Sequence, residues 1–536
     1  MKSLRLPWIL LAFALLGALI GYYLSTQRPF FLAVDVAPEV VGQVTPAEEV
    51  TETVHGDWTG QAIARAVSEE LDYPRGAIEG ELLLQFATRE AYLSYLQALA
   101  AAGMAPLGQI DALMVLRISE GALSVANIGE SGARASYSYR VERPLPPVQV
   151  DPEALARLTA FGQSARVITG GPIAGSGAGV SVAILDSGIE RHPQFDDVSI
   201  VRLDLAGGGV GGLGAGHGTS VASIIAGREG IAPDAELFVV RVLDAEGLGN
   251  SYHVAQGIVE AVDRGVQVIN MSLGVYQDTV ILRQAVNYAH ARGVLMVAAA
   301  GNDGYGRMPY PAAYPEVLAV TAVDGNGQYA LFPNQSMQID FAAPGVGVLT
   351  ALEDEGTVLF SGTSAAAPFV SGTLASLLSG EGALPPQQAV ELLQAYLNDR
   401  GAPGVDPVYG AGLLDWDRLR ERATPGILDV ALADIYLQPD SLPGTTMPIE
   451  VTVQNRGTTW FSDAELEVFV GEAEPVSFIL GSLGPGQTTS RKVFSQIPAQ
   501  GSDEVLSLAA RVILQNINQD IRFENNLKSV AFRPVR

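Results

Sequence analysis

Apolar and polar positions change period several times along the chain. Residues 7–24 are almost wholly apolar (PWILLAFALLGALIGYYL), after Lys2 and Arg5. That is close to the roughly 18 residues a helix needs to cross a bilayer, and the basic flank would hold residues 1–6 in the cytoplasm. Residues 25–57 are polar and acidic on balance and read as a spacer. Within 58–143, residues 80–86 read as a strand, 90–102 as an amphipathic helix and 112–118 as a second strand, a β-α-β order that suggests a small ferredoxin-like α+β unit. The segment 144–175 reads as a linker, and around its start runs Arg143-Pro144-Leu145-Pro146-Pro147, which favours an extended chain.

From 176 to 422 strands alternate with helices. Residues 180–185, 237–243, 266–270, 294–299 and 317–323 are short, apolar and rich in β-branched side chains, with helical patterns over 253–264 and 280–292 between some of them. The expected fold is α/β, a doubly wound parallel sheet covered on both faces. In such sheets ligands bind beyond the carboxyl ends of the strands. From 428 to 536 the period becomes two: Ile449, Val451 and Val453 alternate with polar residues, as do Leu466, Val468 and Val470. Turn signals at Asn455-Arg456-Gly457 and Gly484-Pro485-Gly486 separate these runs, predicting an all-β immunoglobulin-like sandwich.

Charge narrows the partners. The 536 residues carry 32 basic against 58 acidic side chains, a net charge of −26, which argues against nucleic acid. There is no cysteine, hence no disulfide, thiolate metal site or cysteine nucleophile. The run 7–24 ends in Gly21-Tyr22-Tyr23-Leu24 without a small-x-small cleavage pattern. It reads as an uncleaved anchor, making the membrane a partner and the protein single-pass, with its bulk periplasmic or at the cell surface; a cleaved signal peptide is the alternative.

Four polar groups stand where chemistry needs them. Asp186 ends the strand before Ser187-Gly188, and His217 lies in Gly216-His217-Gly218-Thr219, entering a small-residue helix. Asn302 follows Ala299-Ala300-Gly301, and Ser364 lies in Gly362-Thr363-Ser364-Ala365-Ala366-Ala367-Pro368, at the start of an apolar helical stretch. Pro368 suits a first helical turn, where its missing N–H has no partner to lose. A serine hydroxyl is a weak nucleophile until an imidazole accepts its proton, and a carboxylate on the other ring nitrogen holds the required tautomer. The Ser364 N–H and the Asn302 amide are candidate donors to an oxyanion.

Asp, His and Ser in this order, each in its glycine-flanked block, resemble the signature of subtilisin-like serine proteases over about 176–420. The resemblance implies a serine endopeptidase with Asp186, His217 and Ser364 catalytic, Asn302 and Ser364 forming the oxyanion hole, a protein or peptide substrate, and no cofactor. It further implies that Ser272-Leu273-Gly274 pairs with substrate backbone and that Ala299, Ala300 and Gly301 line the pocket for the residue before the cut. Their small size leaves room for a large apolar side chain, while Asp303 would attract a basic one. No loop long enough to wrap calcium follows Gly227, and no metal ligand set is visible. The unit 58–143 resembles a propeptide, an inhibitor of its own enzyme, with maturation somewhere before Ser176. The tail resembles a bacterial cell-adhesion-related module. The alternative function is surface binding through that module, with the peptidase fold as scaffold.

Overall fold

The computed structural model describes residues 73–124, 133–145, 158–207, 215–353, 355–437, 444–499, 505–514 and 520–532. The apolar run 7–24 and the acidic spacer lie outside the described residues, and no helix among those described is long and apolar enough to cross a membrane.

The first strands are β1 (Glu81–Gln85), β2 (Gly108–Ile110), β3 (Val115–Ser119) and β4 (Arg134–Ser136), with helix α1 (Arg89–Ala101) between β1 and β2. Thr88 caps α1 by accepting from the Ala91 N–H at 3.2 Å. The strands form an antiparallel sheet in the order β2-β3-β1-β4. Among the described residues α1 is the only α-helix of this unit, where a ferredoxin-like unit has two. Strand β5 (Arg140–Glu142) leaves this sheet and pairs elsewhere.

The central body contains β6 (Ser181–Asp186), β7 (Ile200–Asp204), β8 (Glu236–Arg241), β9 (Leu248–Asn250), β10 (Val268–Met271), β11 (Leu295–Ala299), β12 (Leu318–Val323), β13 (Phe341–Pro344) and the hairpin β14 (Val348–Ala351) and β15 (Thr357–Phe360). Seven of these strands form one parallel sheet, β13-β12-β11-β10-β6-β8-β7. The helices are α2 (Ala165–Thr169), α3 (Ala215–Ile225), α4 (Ser251–Asp263), α5 (Val280–His290), α6 (Thr363–Leu377), α7 (Pro386–Ala395) and α8 (Trp416–Glu421). Alternation along β6 sorts the two faces. Val182 and Ile184 join the core with α3 and α6, while Ala183 and Leu185 join the one with α4 and α5.

That second core is continuous with the N-terminal sheet, since Leu84, Tyr92 and Val141 belong to it together with Tyr252 and Ile258. Polar contacts fix the seam. Arg117 lies over the Tyr252 ring at 5.1 Å and donates to His253 Nε2 at 2.9 Å, while Tyr139 and Ser251 exchange bonds of 2.8 and 3.0 Å.

The last strands, β16 (Val430–Leu437), β17 (Thr446–Asn455), β18 (Ala464–Val470), β19 (Val476–Leu480), β20 (Thr488–Gln496), β21 (Leu506–Ile513) and β22 (Leu527–Phe532), form two antiparallel sheets, β16-β17-β20 and β19-β18-β21-β22, over one shared core. They are fixed to the central body. Gln454 accepts from Asp399 N and donates to Leu397 O, both at 3.1 Å, and Arg522 bridges Glu421 and Asp429 at 2.7 and 2.9 Å.

Candidate active site

Every candidate residue comes from the carboxyl edge of the parallel sheet or from a helix start facing it. Asp186 is the last residue of β6, Ser272-Leu273-Gly274 follow β10, and Ala300-Gly301-Asn302 follow β11. His217 lies in the first turn of α3 and Ser364 in the first turn of α6. Long-range folding thus gathers groups up to 178 positions apart.

Asp186, fully buried, accepts at one oxygen from the Ser187 N–H at 2.7 Å and the Ser187 hydroxyl at 3.2 Å. The same carboxylate takes His217 Nδ1 at 2.8 and 3.0 Å. Phe360 stands edge-on to the imidazole, with centroids 5.3 Å apart and planes at 84°. With Nδ1 committed to the carboxylate, Nε2 is left to accept a proton. Gly218 is required by close approach, because a Cβ there would lie 2.1 Å from Gly188 O.

Ser364 is 2% exposed. Its hydroxyl is buried without a hydrogen-bond partner, so the fold brings Asp186 and His217 into contact but does not hydrogen-bond Ser364 to either. An unengaged nucleophile of this kind commonly aligns only when a reacting group is bound. Helix α6 begins at Thr363, so Pro368 sits beyond the first turn, inside the helix, which corrects the expected placement. Proline has no N–H for the Ser364 carbonyl four residues earlier. The Ser272 hydroxyl fills that role, donating to Ser364 O at 3.2 Å, and is itself held by Asn270 Nδ2 at 3.2 Å. Ser272 is thereby tied to the nucleophile's backbone.

Asn302 is oriented by a residue to which sequence reasoning gave no role. Its Oδ1 accepts from both the N–H and the hydroxyl of Thr363 at 2.9 Å, and Thr363 Oγ1 accepts from the Gly301 N–H at 3.1 Å. The amide nitrogen therefore points away, and it donates to Leu145 O at 2.9 Å. Ser187 is a second residue that went unassigned, accepting from the Gly218 N–H at 3.2 Å and so fastening α3 to β6. Each lies inside a quoted motif, but neither its spacing nor its type marks it as a positioning group.

Leu145 belongs to a strap, residues 140–145, that crosses the site. Strand β5 pairs antiparallel with β9, Val141 opposite Gly249. On the other side Glu142 exchanges bonds with Gly274, at 3.1 Å from its own N–H and 2.8 Å to its carbonyl, and the Arg143 N–H reaches Gly247 O at 3.1 Å. An extended segment thus completes a three-stranded arrangement between two edges, the geometry of strand addition. Val141 is fully buried and Leu145 is 51% exposed.

The side chains of Leu273 and Ala300 belong to one core and that of Ala299 to the other. A Cβ on Gly274 would meet Pro309 at 2.7 Å and one on Gly301 would meet it at 3.2 Å. Pro309 therefore closes the space beside Gly274, while beside Gly301 the nearer obstacle is Asn334 Nδ2, which an added Cβ would meet at 2.4 Å. Asp303, the candidate for attracting a basic side chain, accepts from the Tyr276 hydroxyl at 2.5 Å. Among the described residues no cluster of three or more His, Asp or Glu side chains is placed to hold a metal ion.

Residues 177–412 match the model of the Subtilase family. Over 253 residues, 45% of this chain, it is 39% identical to Subtilisin Savinase of Lederbergia lenta and covers 90% of that protein. It is also 39% identical to an Alkaline protease of Alkalihalobacillus alcalophilus, covering 64% of it. Identity is 36% over 259 residues to Minor extracellular protease Epr of Bacillus subtilis, of which the match spans 38%. The membrane-anchored localisation expected from the sequence is corrected by these likenesses, one of which is to a protease named as extracellular. With a buried carboxylate on an imidazole, a serine at a helix start and these likenesses over the same residues, the chain belongs to the subtilase family, and its parallel-sheet body is that of a subtilisin-like serine endopeptidase.

Proposed function

We propose that Asp186, His217 and Ser364 cut protein substrates outside the cytoplasm through an acyl-enzyme, and that the N-terminal unit is a propeptide-like inhibitor of the same site. The observation that carries this reading is the strap: an extended peptide lies between the 247–250 and 274 edges with a backbone carbonyl on the Asn302 amide. A substrate takes its place. Its carbonyl carbon is attacked by Ser364 Oγ while His217 Nε2 takes the hydroxyl proton, and Asp186 holds the Nδ1–H of the resulting imidazolium. The oxyanion receives Asn302 Nδ2 and the Ser364 N–H, at the positive end of α6. His217 then protonates the departing nitrogen, and water repeats the sequence to release the acid.

Export by way of the apolar segment 7–24 as a signal peptide fits the relative named as extracellular. The two C-terminal sheets are assigned to an immunoglobulin-like, adhesion-related module. Its polar seam with 397–422 suits a fixed support of the catalytic body. Hydrolysis of a fluorogenic peptide tests the reading: activity present in the full chain and lost in both His217→Ala and Ser364→Ala supports it. Activity retained in Ser364→Ala contradicts it.

A further inference from the structure

The strap lies in the site as a substrate would, yet its sequence is hostile to cutting. Asn302 Nδ2 marks the Leu145 carbonyl at 2.9 Å, and the next residue is Pro146, followed by Pro147. Of the four peptide bonds from Arg143 to Pro147, three are made to a proline nitrogen. The one ordinary amide, Pro144 to Leu145, has its carbonyl on Pro144, not on the residue that Asn302 holds.

Acylation forms the ester between Ser364 Oγ and the carbonyl carbon and breaks the bond from that carbon to nitrogen. The serine proton travels by way of His217 to the departing nitrogen. When that nitrogen belongs to proline, a ring carbon replaces the amide hydrogen and the ring fixes φ near −65°. The nitrogen then carries bulk where the proton must arrive and cannot turn its lone pair freely toward the imidazolium. Proton delivery requires reacting groups aligned at about 3–3.5 Å. Binding needs only carbonyls, N–H groups at 142 and 143, and the buried Val141 side chain, none of which proline disturbs.

We infer that the strap is a self-resistant inhibitor: the site binds its own segment 140–145 in a substrate-like pose that its own triad does not cleave at 143–147, so activation requires a cut elsewhere in the chain or displacement of the strap. The inference rests on the endopeptidase reading above. It separates tight binding from turnover within one polypeptide and holds the full chain at a low, residual activity until the strap is displaced or cut elsewhere.

The test compares the full chain with Pro146→Ala/Pro147→Ala, each with and without Ser364→Ala. Intact mass and N-terminal sequencing follow self-cleavage, and a fluorophosphonate probe reports the reactive serine. The double variant is expected to be cut after Leu145, giving a new N-terminus at position 146. The rate should be independent of protein concentration and abolished by Ser364→Ala, while the unsubstituted chain stays uncut from 143 to 147 over the same time. Pro146→Ala alone should be cut at the same bond. Self-cleavage of the unsubstituted chain within 143–147 overturns the inference, as does a double variant that takes the probe but remains uncut. Failure of every chain to take the probe overturns the endopeptidase reading instead, and this inference with it.

Discussion

Thr363 holds Asn302 by its carboxamide oxygen, which accepts from both the backbone N–H and the hydroxyl of Thr363 at 2.9 Å, so that the amide nitrogen faces the Leu145 carbonyl. Orientation is thus set before any substrate arrives, and the donor needs no reorganisation as charge develops. Asn302→Ala should lower kcat by about 10²–10³-fold, a magnitude known from a subtilisin and not obtained from the present geometry. Thr363→Val keeps the donor but loosens it. It should lower kcat by a smaller factor with little change in KM, as steady-state peptide hydrolysis will show.

Burial of Val141 gives the strap its apolar anchor. An aspartate there would bury a carboxylate without a partner and drive the strap out of the cleft. Val141→Asp should raise the rate of fluorophosphonate labelling of the full chain by roughly tenfold or more, each decade being about 1.4 kcal/mol of strap binding. A rate equal to that of the unsubstituted chain would mean that the strap does not cover Ser364.

Gly218 leaves no space for a Cβ beside Gly188 O. Gly218→Ala should destabilise the protein by about 1–3 kcal/mol in urea unfolding, the usual cost of overpacking. The displaced α3 start also moves His217 relative to Asp186. Peptide hydrolysis should fall by about 10²-fold, since a shift of 1 Å suffices for that loss.

The seam between the N-terminal sheet and α4 is sensitive to acid. Burial first, and then the Arg117 guanidinium, push the His253 imidazole down from 6.5 to about 4, with Asp204 opposing them. Arg117 donates to Nε2 and Asn250 Nδ2 lies 3.2 Å from Nδ1, so a proton added to the ring finds no acceptor in these two contacts. Between pH 6.5 and 4 the folded state binds fewer protons than the unfolded one, and this site lowers stability as pH falls through that window. Above it the site has no pH dependence. The Tm of the full chain should fall more steeply from pH 7.5 to pH 5 than that of His253→Gln, which keeps an acceptor but does not titrate. Parallel curves would contradict the assignment.

Much of this was legible in the sequence because a parallel strand buried on both faces reads as an apolar run, as β6, β8, β10, β11 and β12 do. The edge strands were not: β7 carries exposed Val201 and Arg202, and β13 is the short Phe-Ala-Ala-Pro. Asp186, His217, Asn302 and Ser364 stood out through their small-residue surroundings, whose physical reason is close approach at Gly218 and at the crowded start of α6. The strap was invisible for a different reason. Residues 140–145 have no apolar period of their own, and their conformation comes from partners at 247–250, 274 and 302, more than 100 positions away. The role of Pro368 was misplaced because the carbonyl it leaves free is satisfied from Ser272, a partner that local sequence does not reveal.

Covalent labelling of the full chain by a fluorophosphonate, followed by peptide mapping, tests the central claim most directly. The account predicts slow labelling with the adduct on Ser364, absent in Ser364→Ala and strongly reduced in His217→Ala. An adduct on any other residue, or labelling undiminished in Ser364→Ala, would contradict it.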